Sequence, residues 1–290
     1  RIVHVSVGNC HTAAVTSDGD LFTWGACWSG QLGLGVARRK GVRDAHEQLF
    51  FPTPTPVEAF VKTRIRKVSC GAVHTAVIST DGQLFTFGCS DGGRLGHGTI
   101  TTIESEAKDV LHPELVTALK REIVVDVVCS YWHSLCLVRS RGDAYPPGEG
   151  FVYAFGHGIH GQLGLGKQKI ASIPTRLPEF VHRRVRCRAL AVSSHHSCAL
   201  TSDGKLFSWG QNASGCLGRE PPDGAVDAGD PDVVTDFSGF GVGPIVSIAC
   251  GHRFTLVVTG PWEPIEPTPT YGLNERLNRH GRVPFANNKY

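Results

Sequence analysis

The sequence predicts an all-β fold, a propeller built of successive blades, on three observations: a repeat of roughly sixty residues, hairpin-turn signals at fixed offsets inside it, and thirty-five glycines. By length alone, 290 residues would suit one large core or two domains of about 100–200 residues each. The repeat decides for a single array.

Its first element is a strand ending in a histidine motif. Val5-Ser6-Val7-Gly8-Asn9-Cys10-His11-Thr12 recurs as Val68-Ser69-Cys70-Gly71-Ala72-Val73-His74-Thr75, and less faithfully at Val127–Ser134, Ala191–Ser197 and Ile248–Thr255. Seven residues after the histidine stands Asp18-Gly19, then Asp81-Gly82 and Asp203-Gly204, each between apolar-rich runs, which is a hairpin signal. An aromatic followed by glycine anchors the next strand: Trp24-Gly25, Phe87-Gly88, Phe155-Gly156 and Trp209-Gly210. The last element is Gly-x-Leu-Gly, at Gly30–Gly33, Gly93–Gly96, Gly161–Gly164 and Gly215–Gly218. Successive histidines lie 63, 59 and 63 residues apart, a spacing that suits four-stranded blades better than helical coils. Short strands such as Thr12 to Val15 and Leu21 to Trp24 cannot bury both sheet faces alone, and radial stacking covers them while leaving few edges. The expected units are 1–62, 63–121, 122–182, 183–243 and a partial 244–262. Residues 263–290 read as a proline-containing arm, with Pro264, Pro267 and Pro269 opposing regular sheet.

Residues 8–35, beginning Gly8-Asn9-Cys10-His11 and ending Gly30-Gln31-Leu32-Gly33-Leu34-Gly35, resemble the repeat of the regulator of chromosome condensation family. The resemblance runs through residue 262 as four full units plus part of a fifth. It implies a seven-bladed ring, so that two or three blades lie in sequence outside these residues, or the ring is open, or a partner completes it; the first is the favoured expectation. A chain that starts at Arg1 and contains no methionine reads in the same sense, as part of something longer. The resemblance also implies a choice among exchange factors for the small GTPase Ran, ubiquitin-ligase subunits, a plant ultraviolet photoreceptor and scaffolds in cilia and mitochondria. Fold alone does not choose among them. The photoreceptor reading needs clustered tryptophans on one face, and only Tyr131-Trp132-His133 has that look.

Composition narrows the classes further. A formal net charge of +3 gives no indication of nucleic acid, and no run of eighteen apolar residues offers a membrane span. Ten cysteines without a Cys-x-x-Cys pair, three of them sharing a column with Val7 and Val192, read as small apolar residues in a reducing, intracellular compartment. His11, His74, His133 and His196, one per blade, are spread around the ring rather than gathered at a metal, and are expected to bond to neighbouring backbone. Phe254, their counterpart in the fifth copy, suits packing. No serine or cysteine stands beside a base and an oxyanion hole, and Gly-x-Leu-Gly lacks the Lys-Ser/Thr ending of a phosphate loop. No catalytic, cofactor or metal residue is therefore assigned.

Departures from the repeat mark the candidate partner-binding residues. From His133 to Phe155 is 22 residues where His11 to Trp24 is 13, so the third unit carries an enlarged hairpin with Arg141, Asp143 and Tyr145. Basic patches occur at Arg38-Arg39-Lys40 with Arg43, and at Arg183-Arg184 with Arg186 and Arg188. An acidic linker from Glu220 to Asp236 holds Asp223, Asp227, Asp230 and Asp232. The expected function is a non-enzymatic scaffold or recognition domain for protein partners. The alternative is guanine-nucleotide exchange on a Ran-like small GTPase, with that GTPase or a multi-subunit assembly as partner.

Overall fold

The computed structural model describes residues 1–35, 41–98, 109–143, 146–221, 225–235, 237 and 243–260. The first sheet comprises β1 (Ile2–Val7), β2 (His11–Thr16), β3 (Leu21–Ala26), the two-residue β4 (Val42–Arg43) and β5 (Leu49–Pro56), in the order β1-β2-β3-β5-β4. The second is the meander β6 (Ile65–Cys70), β7 (His74–Ser79), β8 (Leu84–Gly88), β9 (Val110–Leu115). The third follows as β10 (Glu122–Cys129), β11 (His133–Ser140), β12 (Phe151–His157) and β13 (Ile170–Arg176). After a five-residue helix α1 (Pro178–His182) comes the fourth, β14 (Cys187–Val192), β15 (His196–Thr201), β16 (Leu206–Gln211) and β17 (Asp227–Val233). The hairpin β18 (Ile245–Cys250) and β19 (Thr255–Thr259) ends the described chain. All pairings are antiparallel, joined by tight turns between the second and third strands and by longer loops before the fourth.

Register explains why histidine and aromatic-glycine recur at fixed offsets. His11 pairs with Gly25, His74 with Gly88, His133 with Gly156 and His196 with Gly210 across the second and third strands. At each of these glycines the pairing to the fourth strand slips by two residues, a bulge that bends the blade. Gly88 shows why no side chain fits: its φ is +111°, and a Cβ would stand 2.6 Å from the Val73 carbonyl oxygen. The aromatic before it then fills the joint between blades, where Phe87, Phe155 and Trp209 are fully buried against the Gly-x-Leu-Gly loop of the blade before.

A further repeat column lies after each fourth strand. Single helical turns carry Phe60, Leu119 and Phe180 inward, and all three are buried. Phe60 meets Phe85 edge-on at 5.3 Å, and Phe180 meets Phe207 at 5.0 Å and Trp209 at 5.9 Å, each partner belonging to the next blade. Each such side chain contributes about 1.5–3 kcal/mol. Val57-x-x-Phe60, Val116-x-x-Leu119 and Leu177-x-x-Phe180 were the signal in the sequence.

The histidine column joins blade to blade. His11 Nε2 lies 2.8 Å from Thr75 Oγ1, His74 Nε2 2.9 Å from Ser134 Oγ, His133 Nε2 2.8 Å from Ser197 Oγ, and His196 Nε2 3.0 Å from Thr255 Oγ1. Each hydroxyl donates back to a carbonyl in the preceding blade's Gly-x-Leu-Gly loop, of Gln31, Arg94, Gln162 or Cys216. With its hydrogen so committed, the hydroxyl oxygen accepts from Nε2–H, which fixes the tautomer. The partners are thus side-chain hydroxyls of the next blade rather than the backbone expected from sequence. Periodicity alone does not tell which groups face each other across a joint. Phe254 is 54% exposed, and no blade follows it among the described residues.

Candidate interaction surface

Strand direction sorts the loops onto two faces. Asp-Gly turns and the enlarged hairpin cap the far ends of the second strands, while the loops before each joint histidine and the Gly-x-Leu-Gly loops share the opposite face. On the hairpin face, Asp143 Oδ2 accepts the Ser140 amide at 3.1 Å and closes a tight turn beside exposed Arg141. Gly150, at the hairpin's base, exchanges two backbone hydrogen bonds of 3.0 and 2.9 Å with Cys187 of the fourth blade. Gly19 and Gly82 accept the corresponding amides of Ile65 and Val124. The enlargement therefore leaves the joint intact and projects outward. Tyr145 lies outside the described residues, as do Arg38, Arg39 and Lys40.

The fourth-unit charges do not behave as a solvated linker. Arg183 pairs with Glu179 and, at 3.0 Å, with Asp232, and its guanidinium sits 5.6 Å above the Phe207 ring. Exposed Arg184 takes a positive φ of 54° at the exit of α1. Asp227, Asp230 and Asp232 stand in β17, the fourth strand of the blade, and not in a loop. Turn-like Gly, Pro and Asp residues in Asp227-Ala228-Gly229-Asp230-Pro231 concealed a strand whose inner positions are Ala228 and Pro231. Asp230 is exposed, whereas Asp227 Oδ2 faces His160 Nδ1 at 3.2 Å.

That contact opens onto an arc of rings that crosses three blades on the loop face. Tyr131 and Trp132 touch at 4.8 Å between centroids, Trp132 meets His157 at 6.1 Å, His160 meets His195 at 5.1 Å, and His195 meets His252 at 6.2 Å. Arg94 supports the arc from below: it is 2% exposed, donates to the Asp91 and Tyr131 carbonyls, and lies 5.1 Å from the Trp132 centroid. Tyr131 and Ile159 add exposed apolar area, at 42% and 50%. Burial, reinforced by His160, His252 and Arg253, lowers the His195 pKa, and burial lowers that of His157. At neutral pH these two rings are uncharged faces with one donor and one acceptor each. Sequence reasoning missed the arc because its members occupy non-repeating positions beside the repeat columns; Tyr131-Trp132 and His195 were visible as departures from Asn9-Cys10 and Ala72-Val73.

One group of metal-ligating atoms occurs among the described residues: His196, Cys198 and Cys250, whose ligand atoms all lie within 4.8 Å of one another. All ten cysteines are free thiols. No helix among the described residues is long and apolar enough to cross a membrane.

Residues 1–264 match the model of the RCC1-like domain. The chain belongs to the RCC1-like family. It is 33% identical over 262 residues to the ultraviolet-B receptor UVR8 of Arabidopsis thaliana, covering 89% of this chain and 51% of the receptor. It is 29% identical over 261 residues to the human E3 ubiquitin-protein ligase HERC2, covering 89% of this chain and 5% of the ligase. Among solved structures, human WBSCR16 is similar with a TM-score of 0.70 and 26% identity, over 90% of this chain and 60% of that one. This RCC1-like chain thus spans about half the length of the receptor it matches.

Proposed function

We propose that this RCC1-like chain is a non-enzymatic interaction module that docks a protein partner on the loop face. The observation that carries the reading is the ring arc from Tyr131 to His252, with exposed Ile159 beside His160 and charged neighbours at Asp91 and Arg253. Tryptophan, tyrosine and arginine are the residues that concentrate binding energy in protein interfaces. Here they sit on a scaffold whose joints are fixed by buried hydrogen bonds, so little ordering cost attends binding. Arg141 and Asp143 on the hairpin face, and Arg184 and Asp230 at the rim, are secondary contacts in this reading.

The test is quantitative affinity purification from native cells with wild type, Trp132→Ala/His195→Ala, and a variant with residues 141–149 replaced by a short Gly-Ser link. Loss of the same partner set with the arc variant and retention with the hairpin variant supports the reading; the reverse pattern overturns it. Exchange on a Ran-like GTPase rests on family membership alone. A nucleotide-release assay over a panel of small GTPases decides it, since stimulated release would make the chain an exchange factor.

A further inference from the structure

We propose that His196, Cys198 and Cys250 form a binding site for one thiophilic divalent metal ion of the zinc class, at the joint between the fourth blade and the β18–β19 hairpin. Their ligand atoms lie within 4.8 Å of one another. Two sulfurs and an imidazole are a recurrent zinc set that leaves a fourth position open.

The repeat supplies an independent observation. The position two residues after the joint histidine is Ala13, Ala76 and Leu135 in the first three blades and Cys198 in the fourth. The position of Cys250 in the strand before is Val7, Cys70, Cys129 and Val192 in the other blades. The second residue of Gly-x-Leu-Gly is Gln31, Arg94 and Gln162, then Cys216. Only at this joint do all three columns hold cysteine. Cys216 stands close enough to interact electrostatically with both other thiols. Its own Sγ is 3.0 Å from the Gln211 carbonyl oxygen, so it is the nearest further thiol for the open position.

The surroundings suit a ligand imidazole. Ser193 Oγ lies 2.7 Å from His196 Nδ1 and would orient the ring as an outer-shell partner while Nε2 ligates. Ligation through Nε2 moves the ring proton to Nδ1, which then donates to Ser193 Oγ, and gives up the 3.0 Å contact with Thr255 Oγ1, which keeps its 2.8 Å bond to the Cys216 carbonyl. A groove lined by Cys216, Arg253, Phe254 and Thr255 lies beside the site, where Thr255 touches His196. On binding, the Cys198 and Cys250 thiols each release a proton to solvent and form a metal–sulfur bond; nothing is oxidised or reduced.

The experiment titrates chelator-stripped protein with Cd²⁺, as a spectroscopic substitute for zinc, in a phosphine reductant that also keeps the two thiols from forming a disulfide. A thiolate-to-metal charge-transfer band that saturates at one equivalent, and is displaced by Zn²⁺, is the expected result. Cys198→Ala/Cys250→Val places at this joint residues that the same columns hold elsewhere in the chain, and it should lose the band while remaining folded by circular dichroism. Absence of a saturable band in wild type, or an undiminished band in the folded double variant, overturns the site. Alkylation mapping on wild type gives a readout that needs no variant. One equivalent of Zn²⁺ should protect half-buried Cys250 while Cys10 and Cys89, half-buried like it, still react; equal Cys250 reactivity with and without zinc overturns the proposal as well.

Discussion

His195 and His196 are neighbours in sequence and opposites in function, and so are Trp132 and His133. His133 and His196 are buried, bridged to a hydroxyl of the next blade and shared by every full blade of the repeat. His195 and Trp132 are half-exposed, touch other rings, and have no counterpart in the first two blades, where Cys10 and Val73 stand. A strand start places consecutive side chains on opposite sides. One joins two sheets, and the next is free to vary on the face. The column thus builds the propeller, and its neighbour gives each blade a distinct surface.

The largest effect expected of this contrast is on stability. His133→Ala leaves the Ser130 hydroxyl hydrogen without its acceptor, Nδ1 at 2.8 Å, and removes the Nε2 donor 2.8 Å from Ser197 Oγ, which keeps only its bond to the Gln162 carbonyl. It also opens a cavity among fully buried side chains. Unfolding in urea should show a loss of roughly 2–4 kcal/mol. A loss no larger than that of an exposed histidine would mean that the joints are held by apolar packing alone.

Acid should act on the same column next. Burial depresses His11 to about 4, His133 to about 3 and His196 to about 4, from 6.5 in the unfolded chain, and drives His74 well down. The unfolded state therefore binds more protons below pH 6.5. The stability from these neutral rings is complete above that value and lost as pH falls towards about 4 and then 3. Urea midpoints measured from pH 7 to 4.5 should fall steadily, and His133→Ala should flatten the slope. A slope unchanged in that variant would assign acid sensitivity to other groups.

How far the sequence discloses this molecule follows the same division. His11, Asp18-Gly19, Trp24-Gly25 and Gly30–Gly33 repeat because backbone geometry repeats, so the blades were legible from spacing. The hydroxyl partners were not. Thr75 and Ser134 acquire their role only when another blade is laid beside them. Strand β17 was hidden by its Gly, Pro and Asp residues, because a rim strand at a bulge tolerates all three. The arc lay beyond reach for a different reason. Tyr131, His157 with His160, His195 and His252 come from four separate segments, and although Tyr131 aligns with His252 and Trp132 with His195, the first two blades hold no ring at those positions.

A smaller test concerns the second nitrogen of the column. In the third and fourth blades Ser130 and Ser193 donate to Nδ1 of His133 and His196 at 2.8 and 2.7 Å. In the first and second, glycine stands there, and Nδ1 of His11 and His74 has no partner. Ser193→Gly should cost about 0.5–1.5 kcal/mol and make the fourth joint resemble the first. The reverse change is not its mirror image. A Cβ on Gly71 would meet the Ser130 carbonyl oxygen at 2.4 Å, so Gly71→Ser should destabilise despite supplying a donor. Urea midpoints of the two variants side by side decide whether the hydrogen bond or the close approach governs the position.

The smallest expected change in stability belongs to the arc. His195 has no hydrogen-bond role in a joint through its ring, and its contacts are ring edges of His160 and His252 at 5.1 and 6.2 Å. His195→Ala should shift unfolding by no more than about 0.5 kcal/mol, while His196→Ala, one residue on, should cost several times as much. Partner capture should respond in the opposite order per unit of stability lost. If His195→Ala unfolds the chain as readily as His196→Ala, the arc is part of the core and not a surface. If it changes neither stability nor capture, the interaction lies on the hairpin face, where Arg141 and Asp143 become the residues to replace.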